Sequence, residues 1–586
     1  MGNGDATLDK QPQAGHGIGD VIFILAKARI LAHHFDIHSS ENPTSHLNPT
    51  LYIEAFVSYS IEFSSFPDFA GNDSNPNTFS DNLLNNLGQL QGTKPYVRVG
   101  GNTQDIYLYN ASLAYGLNGT FDYSRSADYP TIIYIGPSYF ESYNQWPGVK
   151  FSHGFNLGQG ANNSAGWQTL VDTVPLVCKA LGPEKLDVWE YGNEPDLFST
   201  GKQNLIRPPD WNETTYVSQW LNGTREIRAR LQDACPELLE NDLYGYMAAS
   251  IAGFNNTLKV PIVWEDGINQ DGSIKLFSTH NYISGADVPG VTLQGTLLNH
   301  SVTVASVDPH ITEYNKATNN SGSPPLIFGE TNSLYHQGKP GLSNAFGAAL
   351  WGIDFNLYSA SVGFKRIHMH QGTNYRYGFW QPIQTANASI GTKAPYYGSI
   401  AVAAFLGNTI ETPVSVANIP LSTDTEASYA AYSADGGELL RAIIINMNGY
   451  NTTVDGSGLG ISPNITTRIS RTYTFDVSGG NLSTGDRVAV QRLYANGSDA
   501  ITGITWDGWS YNYELDSGRP VRLSNVTIGE YVVVDANGTV EVSVPDSSAA
   551  LLSLTGNGTV PGSTVPAPPV ANTARGARGS LLRNSW

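Results

Sequence analysis

The sequence predicts an α/β fold: a (β/α)8 TIM barrel followed by a C-terminal all-β sandwich. Three observations carry that prediction. Over residues 47–407, eight short apolar runs alternate with longer helical patterns, the rhythm of parallel strands joined by helices. Beyond residue 408, short alternating segments set apart by Gly, Asn and Asp follow one another with no helical stretch between them. The chain has 586 residues, of which 40% are hydrophobic and 11% aromatic, enough to bury at least one large core.

The candidate barrel strands are 58–63 (SYSIEF), 96–101 (YVRVGG), 149–157 (VKFSHGFNL), 186–192 (LDVWEYG), 243–250 (LYGYMAAS), 274–282 (IKLFSTHNY), 326–331 (LIFGET) and 365–371 (KRIHMHQ). Amphipathic stretches at 167–181, 216–239 and 342–362 supply helices between them. An open sheet would share this rhythm, but eight strand and helix units fit a closed barrel with long loops. One further run, 131–138 (TIIYIGPS), also reads as a strand and is assigned to an excursion after the second barrel strand. The sandwich is expected over 408–555. Residues 1–46 read as a leader or disordered arm, and the Pro-, Gly- and Ala-rich 556–586 as a disordered tail.

Charged residues form only 14% of the chain, and 51 acids against 32 bases leave a net charge of −19. Such a surface repels nucleic acid. Its solubility comes from hydroxyls and amides, which suits a secreted, acid-tolerant protein. About seventeen Asn-X-Ser/Thr sequons point to the same secretory route and to an N-glycosylated product. A clear signal peptide is not recognisable, because the apolar run at 21–31 is broken by Lys27 and Arg29. Cys178 and Cys235 form at most a single staple, and two buried thiols fit equally well. No run approaches the ~18–20 apolar residues a membrane span needs.

Two strand ends carry the chemistry. Trp189-Glu190-Tyr191-Gly192-Asn193-Glu194-Pro195 closes the fourth candidate strand, and Phe328-Gly329-Glu330-Thr331-Asn332 closes the seventh. In a barrel both ends open on the active-site face. An acidic turn before a loop is the plain alternative for an isolated Asn-Glu pair, but the strand-end position favours function. Two carboxylates facing one another across the mouth are what glycoside hydrolysis requires, one as acid/base and one as nucleophile or water activator.

With Tyr59-Ser60-Ile61-Glu62-Phe63, Arg98-Val99-Gly100-Gly101-Asn102-Thr103 and Gly329-Glu330-Thr331-Asn332-Ser333, the Asn-Glu-Pro segment resembles glycoside hydrolase family 79, in the clan of retaining (β/α)8 glycosidases. The family includes β-glucuronidases, 4-O-methyl-glucuronidases and heparanases. The resemblance implies Glu194 as acid/base, Glu330 as nucleophile and Asn193 against the sugar 2-hydroxyl. It further implies that Tyr282 orients the nucleophile, while Tyr335 and Tyr377 hold the uronate carboxylate. Glu62, Asn102 and Gln104, at the ends of the first two strands, are candidates for binding sugar hydroxyls, although Glu62 could equally brace the barrel mouth.

The resemblance implies a retaining exo-β-glucuronidase acting on terminal glucuronic or 4-O-methyl-glucuronic acid of glycans such as arabinogalactan. An endo-acting, heparanase-like enzyme would need basic clusters along its cleft, and the sequence has no Lys/Arg run. Another retaining member of the clan, a β-glucosidase or xylosidase, and a non-catalytic carbohydrate-binding protein are the remaining alternatives. His368 and His370 share a strand face but have no third ligand at metal spacing, so no metal and no cofactor is expected. A Gly-X-Ser-X-Gly nucleophile elbow is absent from the sequence.

Overall fold

The computed structural model describes residues 54–200, 206–240, 243–319, 324–435, 437–526 and 529–554, and the backbone of 33–35. Eight parallel strands close into a barrel: β1 (Val57–Glu62), β2 (Val97–Gly100), β3 (Phe151–Phe155), β4 (Leu186–Tyr191), β5 (Tyr246–Ile251), β6 (Ile274–Gly285), β7 (Leu326–Tyr335) and β8 (Ile367–Gln371). β8 returns to β1 in register from Ile367↔Val57 to Gln371↔Ile61. Each is one of the eight runs read from the sequence. They were legible because parallel strands covered by helices are buried on both faces and read as continuous apolar segments. β1, β2, β3, β5 and β8 are buried at every position.

Helices α1 (Thr78–Gln91), α2 (Ser164–Lys185), α3 (Glu213–Ala234), α4 (Val260–Glu265), α5 (His300–Thr318), α6 (Phe346–Ser361) and α7 (Ala394–Leu406) surround the barrel. Part of the asparagine content has a local use here. Asn77, Asn163, Asn212 and Asn299 cap α1, α2, α3 and α5, each side chain accepting a backbone N–H from the first turn. The stretch at 216–239 is not one helix: α3 stops at Ala234, and Pro236, which lacks an N–H, opens a 3-10 turn. A disulfide joins Cys178 in α2 to Cys235 just past α3.

Between β2 and β3 no α-helix forms. A 3-10 helix (Pro137–Asn144) stands there, preceded by a small sheet of strands Tyr107–Tyr109, Ile132–Ile135 and Leu117–Thr120. The extra strand at 131–138 therefore belongs to the excursion after β2, as its sequence position indicates.

The C-terminal region is mainly β, with a single-turn helix at Tyr513–Asp516 and a 3-10 turn at Val454–Gly456. A nine-stranded sheet faces a smaller one built from Ser470–Asp476 and Thr539–Pro545, with Ile444, Phe475, Val488, Val542 and Leu552 in the core between them. It packs on the barrel flank through α6 and α7. The Tyr429 hydroxyl donates to Asp354 at 2.6 Å, and Arg441 donates to the carbonyls of Phe405 and Leu406 at 2.6 and 2.8 Å. In the 1–46 segment, His33–Phe35 form a strand parallel to Ser470–Asp476. The remainder of 1–46 and the tail at 556–586 lie outside the described residues. No described helix is long and apolar enough to cross a membrane.

Candidate active site

The C-terminal ends of β4, β6 and β7 converge on one cluster. After β4, Gly192 takes φ +91°, and a Cβ there would lie 2.6 Å from Leu157, so the turn requires glycine. The turn delivers Asn193 and then Glu194, itself left-handed at φ +50°, ψ 51° and held by its N–H donating to the Ser250 carbonyl at 2.9 Å. A non-glycine residue in that region is uncommon and marks a position fixed by its surroundings. His280 of β6 stands beside Glu330 of β7 in the sheet register, and Tyr282, two residues on, shares the face of His280.

One carboxylate oxygen of Glu194, one of Glu330 and a ring nitrogen of His280 lie within 4.8 Å of one another. His280 Nδ1 is 3.1 Å from Glu194 Oε1. Tyr282 donates its hydroxyl to Glu330 Oε1 at 2.8 Å, and Arg98 Nη1 donates to Glu330 Oε2 at 2.7 Å. Glu194 and Glu330 are both nearly buried yet not sealed, at 6% and 4% exposure.

Arg98 rises from β2 into the barrel with no exposure at all. Its Nε donates to Glu190 Oε2 at 2.9 Å, Nη2 to Asn193 Oδ1 at 2.7 Å and Nη1 also to Ser60 Oγ at 3.0 Å. One buried guanidinium thus serves two carboxylates, and its planar fork is suited to that. Burial by itself would raise Glu330. Attraction to His370, to His280 when protonated and to Arg98, with the Tyr282 donor, outweighs it and holds the carboxyl down at about 2. Burial depresses His280 to about 4, so the imidazole is neutral in all but acid solution. Burial and the charge of Glu330 push Tyr282 and Tyr377 well above the usual phenol value, keeping both as donors.

The structure does not bring every candidate residue to the cleft. Asn193 is closed in: its Oδ1 receives Arg98 and its Nδ2 donates to Asn102 Oδ1 at 3.1 Å, so the half-buried Asn102 is the open end of that bridge. The Asn193 backbone N–H is fixed by Asp105 at 2.7 Å, a carboxyl that burial raises to about 7. Glu62 is committed to the framework, accepting from Thr103 N–H at 2.9 Å, Thr103 Oγ1 at 2.6 Å and Tyr375 at 3.0 Å. Gln104 is a correction. It is wholly buried and packs toward Gly100 and Gly154 inside the barrel, out of reach of a sugar.

Tyr335 is another. β7 continues past Thr331 to Tyr335, and five residues of strand turn that side chain to the face opposite Glu330. Its ring covers Gly285 and meets His336 edge-on, with 40% exposure. Tyr377 is brought in, its hydroxyl 3.5 Å from that of Tyr282. The histidines of β8 have separate duties. His370 Nδ1 bonds Ser60 Oγ at 2.8 Å and lies 3.6 Å from Glu330, whereas His368 Nδ1 faces the Tyr59 carbonyl at 3.3 Å.

Four residues of the cluster were not singled out from sequence: Arg98, Glu190, His280 and Tyr129. The first two had a signal, since a charged residue inside an otherwise apolar barrel strand must find a counter-charge. Tyr129, on the excursion after β2, interacts with Asn102 and feels the charges of Glu62 and Glu194. No local pattern announces it. Glu194, His280 and Glu330 are spaced to ligate a cation, but Arg98 already places a positive charge on Glu330. The arrangement provides one carboxylate held as an anion and a second carboxyl against a neutral imidazole.

Comparison with known proteins bears on the family of the chain. Residues 428–551 match the glycosyl hydrolase family 79 C-terminal beta domain. The chain is 62% identical over 507 residues to a β-glucuronidase of Neurospora crassa, covering 84% of this chain and 90% of that protein. It is 50% identical over 550 residues to a β-glucuronidase of Aspergillus niger, covering 92% and 99%. Among solved structures, a 4-O-α-L-rhamnosyl-β-D-glucuronidase of Fusarium oxysporum 12S superimposes with a TM-score of 0.68 at 22% identity, over 89% of this chain and all of that one. A GH51 α-L-arabinofuranosidase of Thermotoga petrophila follows at 0.54 and 12% identity, over 86% and 98%. Both are likenesses of fold.

Proposed function

The chain belongs to glycoside hydrolase family 79, and from that premise we propose that it is a retaining exo-β-glucuronidase. Its substrates in this reading are terminal β-linked glucuronic acid or 4-O-methyl-glucuronic acid on glycans such as arabinogalactan side chains. The observation that carries the reading is the approach of the Glu194 and Glu330 carboxylates to within 4.8 Å. Retaining enzymes hold their two carboxyl groups ~5–5.5 Å apart, whereas inverting ones leave ~6.5–9.5 Å for a water.

Glu330, the carboxylate with Arg98 and Tyr282 on its two oxygens, attacks the anomeric carbon. Two like charges this close are not both favoured, so the proton of the pair resides on Glu194, beside neutral His280. Glu194 gives that proton to the departing glycosidic oxygen, and Glu330 becomes the ester. The charge of Arg98 is not stranded by this step, because Glu190 remains its partner. Glu194, now a carboxylate beside a neutral ester, takes a proton from water, which attacks C1 and releases the sugar with its configuration kept.

Exo action is supported by the excursion after β2, which reaches over one side of the mouth. Asp128 is paired there with Arg376 of the loop after β8, at 2.9 Å to Nη2, and Tyr129 approaches Asn102. Tyr377 is the phenolic donor we assign to the uronate carboxylate. It adds no positive charge that would compete for Glu330. Secretion belongs to the same proposal. The disulfide supports it, since such bonds persist in oxidising compartments.

The test is hydrolysis of an aryl β-glucuronide by the wild type, Glu330→Ala and Glu194→Gln, with the first-formed anomer read by NMR. Loss of turnover in Glu330→Ala and initial release of β-glucuronic acid are expected. Initial α-anomer, or preference for the matching glucoside or xyloside, would overturn the proposal. Three equally inactive preparations that still bind glucuronate would favour a carbohydrate-binding role.

A further inference from the structure

A groove of about 790 Å³ lies beside the catalytic mouth, between the loop after β1, the excursion after β2 and the loop after β8. β8 is diametrically opposite β4 in the closed barrel, so the β8 wall of the groove stands across from Glu194.

Its walls are fixed without a ligand. Asp68 accepts from the Thr373 hydroxyl at 2.7 Å, and Asn77 Nδ2 donates to the carbonyls of Asp68 and Pro382, both at 3.0 Å. The lining is amides and hydroxyls, Asn374 among them, with prolines and aromatic rings. Two carboxylates, Asp68 and Asp128, border it, and no Lys or Arg is among its described lining residues. At the rim Phe121, 41% exposed, stacks on Tyr123, 77% exposed, with ring centroids 5.8 Å apart and planes at 16°. Amides for hydroxyls and a flat ring for a sugar face are carbohydrate-binding chemistry, and the volume is that of an occupied ligand site. With Arg376 already engaged by Asp128, the described lining offers no unengaged cation to a sulfated or uronate-rich chain.

We propose that this groove is a second glycan-binding site, which takes an uncharged oligosaccharide stretch of the branched polymer whose glucuronate tips the active site removes. This inference rests on the proposed glycosidase function. Holding a neighbouring chain there raises the effective concentration of tips at the catalytic mouth without touching the reaction itself.

The experiment has two arms. The full chain carrying Glu330→Ala is titrated calorimetrically with an uncharged galacto-oligosaccharide of about four residues and with its sulfated counterpart. The catalytically intact chain is then compared with Phe121→Ala and Tyr123→Ala on an aryl glucuronide and on a glucuronate-tipped neutral polymer. The neutral oligosaccharide is expected to bind, and the sulfated one at least about tenfold more weakly. Each aromatic variant is expected to weaken binding and polymer kcat/KM by about tenfold while aryl glucuronide kcat/KM stays within about twofold. The aryl substrate reads the catalytic proposal separately, so failure of one is distinguishable from failure of the other. Equal polymer activity in both variants would overturn the second site, as would competition between the oligosaccharide and glucuronate. So would oligosaccharide binding that appears only after N-glycan removal, because Asn72 begins a sequon on the groove wall and its own glycan would then be the occupant.

Discussion

The Arg98 guanidinium donates to Glu330 at 2.7 Å from a position with no solvent exposure, and its other edge is closed by Glu190. Glu330 is therefore held as an anion, and in the proposed mechanism the arginine keeps a counter-ion through the covalent step. Glu194 draws on a different partner, a buried imidazole at 3.1 Å. Two chemically identical side chains acquire different roles from what surrounds them.

Arg98→Met is expected to destabilise the protein by about 3–5 kcal/mol, because it leaves Glu190 and Glu330 buried without their cation. Arg98→Lys keeps a charge but cannot reach Glu190, Glu330 and Asn193 together. It is expected to recover part of the stability and little of the activity. Chemical denaturation checks this, and an Arg98→Met protein within about 1 kcal/mol of wild type would remove Arg98 as the pivot of the site.

The acid limb of kcat/KM should lie well below the usual glutamate range, since Glu330 is held at about 2. Tyr282→Phe deletes a donor to the anion, which makes the anion less favourable and raises the carboxyl pKa. The limb is expected to move to higher pH by about one to two units. The same depressed carboxyl stabilises the fold above the ordinary glutamate value, and that contribution is lost as pH falls toward about 2. A pH profile of Tyr282→Phe that overlays the wild type would show that the hydroxyl does not orient Glu330.

His280→Ala should act through Glu194, so its effect is expected to depend on the leaving group. Alkyl glucuronides, which need protonation, are expected to lose about 10–100-fold in kcat, while dinitrophenyl glucuronide, which hardly needs it, loses far less. An equal loss on both would assign His280 to sugar binding or to stability.

How much of this the sequence discloses depends on what each signal encodes. The barrel strands were readable because burial on both faces makes a run apolar, and Glu194 and Glu330 because strand ends face the mouth. Direction was not encoded in the same way. Tyr335 looked close to Glu330 in sequence, yet the strand continues, and an odd separation turns it away. Gln104 follows β2 by four residues, but the 3-10 turn at Asn102–Asp105 folds it back into the barrel. By the same parity, His280 two residues before Tyr282 was accessible to sequence reasoning. Tyr129 was not, because the excursion that carries it meets Asn102 only through tertiary folding.

Stability and chemistry should separate at the disulfide. Cys178–Cys235 closes a loop with a sequence separation of 57 that contains all of β4 and Glu194, so removing it frees a long segment of the unfolded chain. Chain-entropy reasoning gives a loss of about 4 kcal/mol for Cys178→Ala with Cys235→Ala. Yet Glu194 is fixed by Ser250 and His280, which the disulfide does not touch. The double variant is therefore expected to melt several degrees lower but to hydrolyse an aryl glucuronide at 25 °C within about twofold of wild type. A large fall in kcat with an unchanged melting temperature would mean instead that the staple sets the position of β4, and with it the acid.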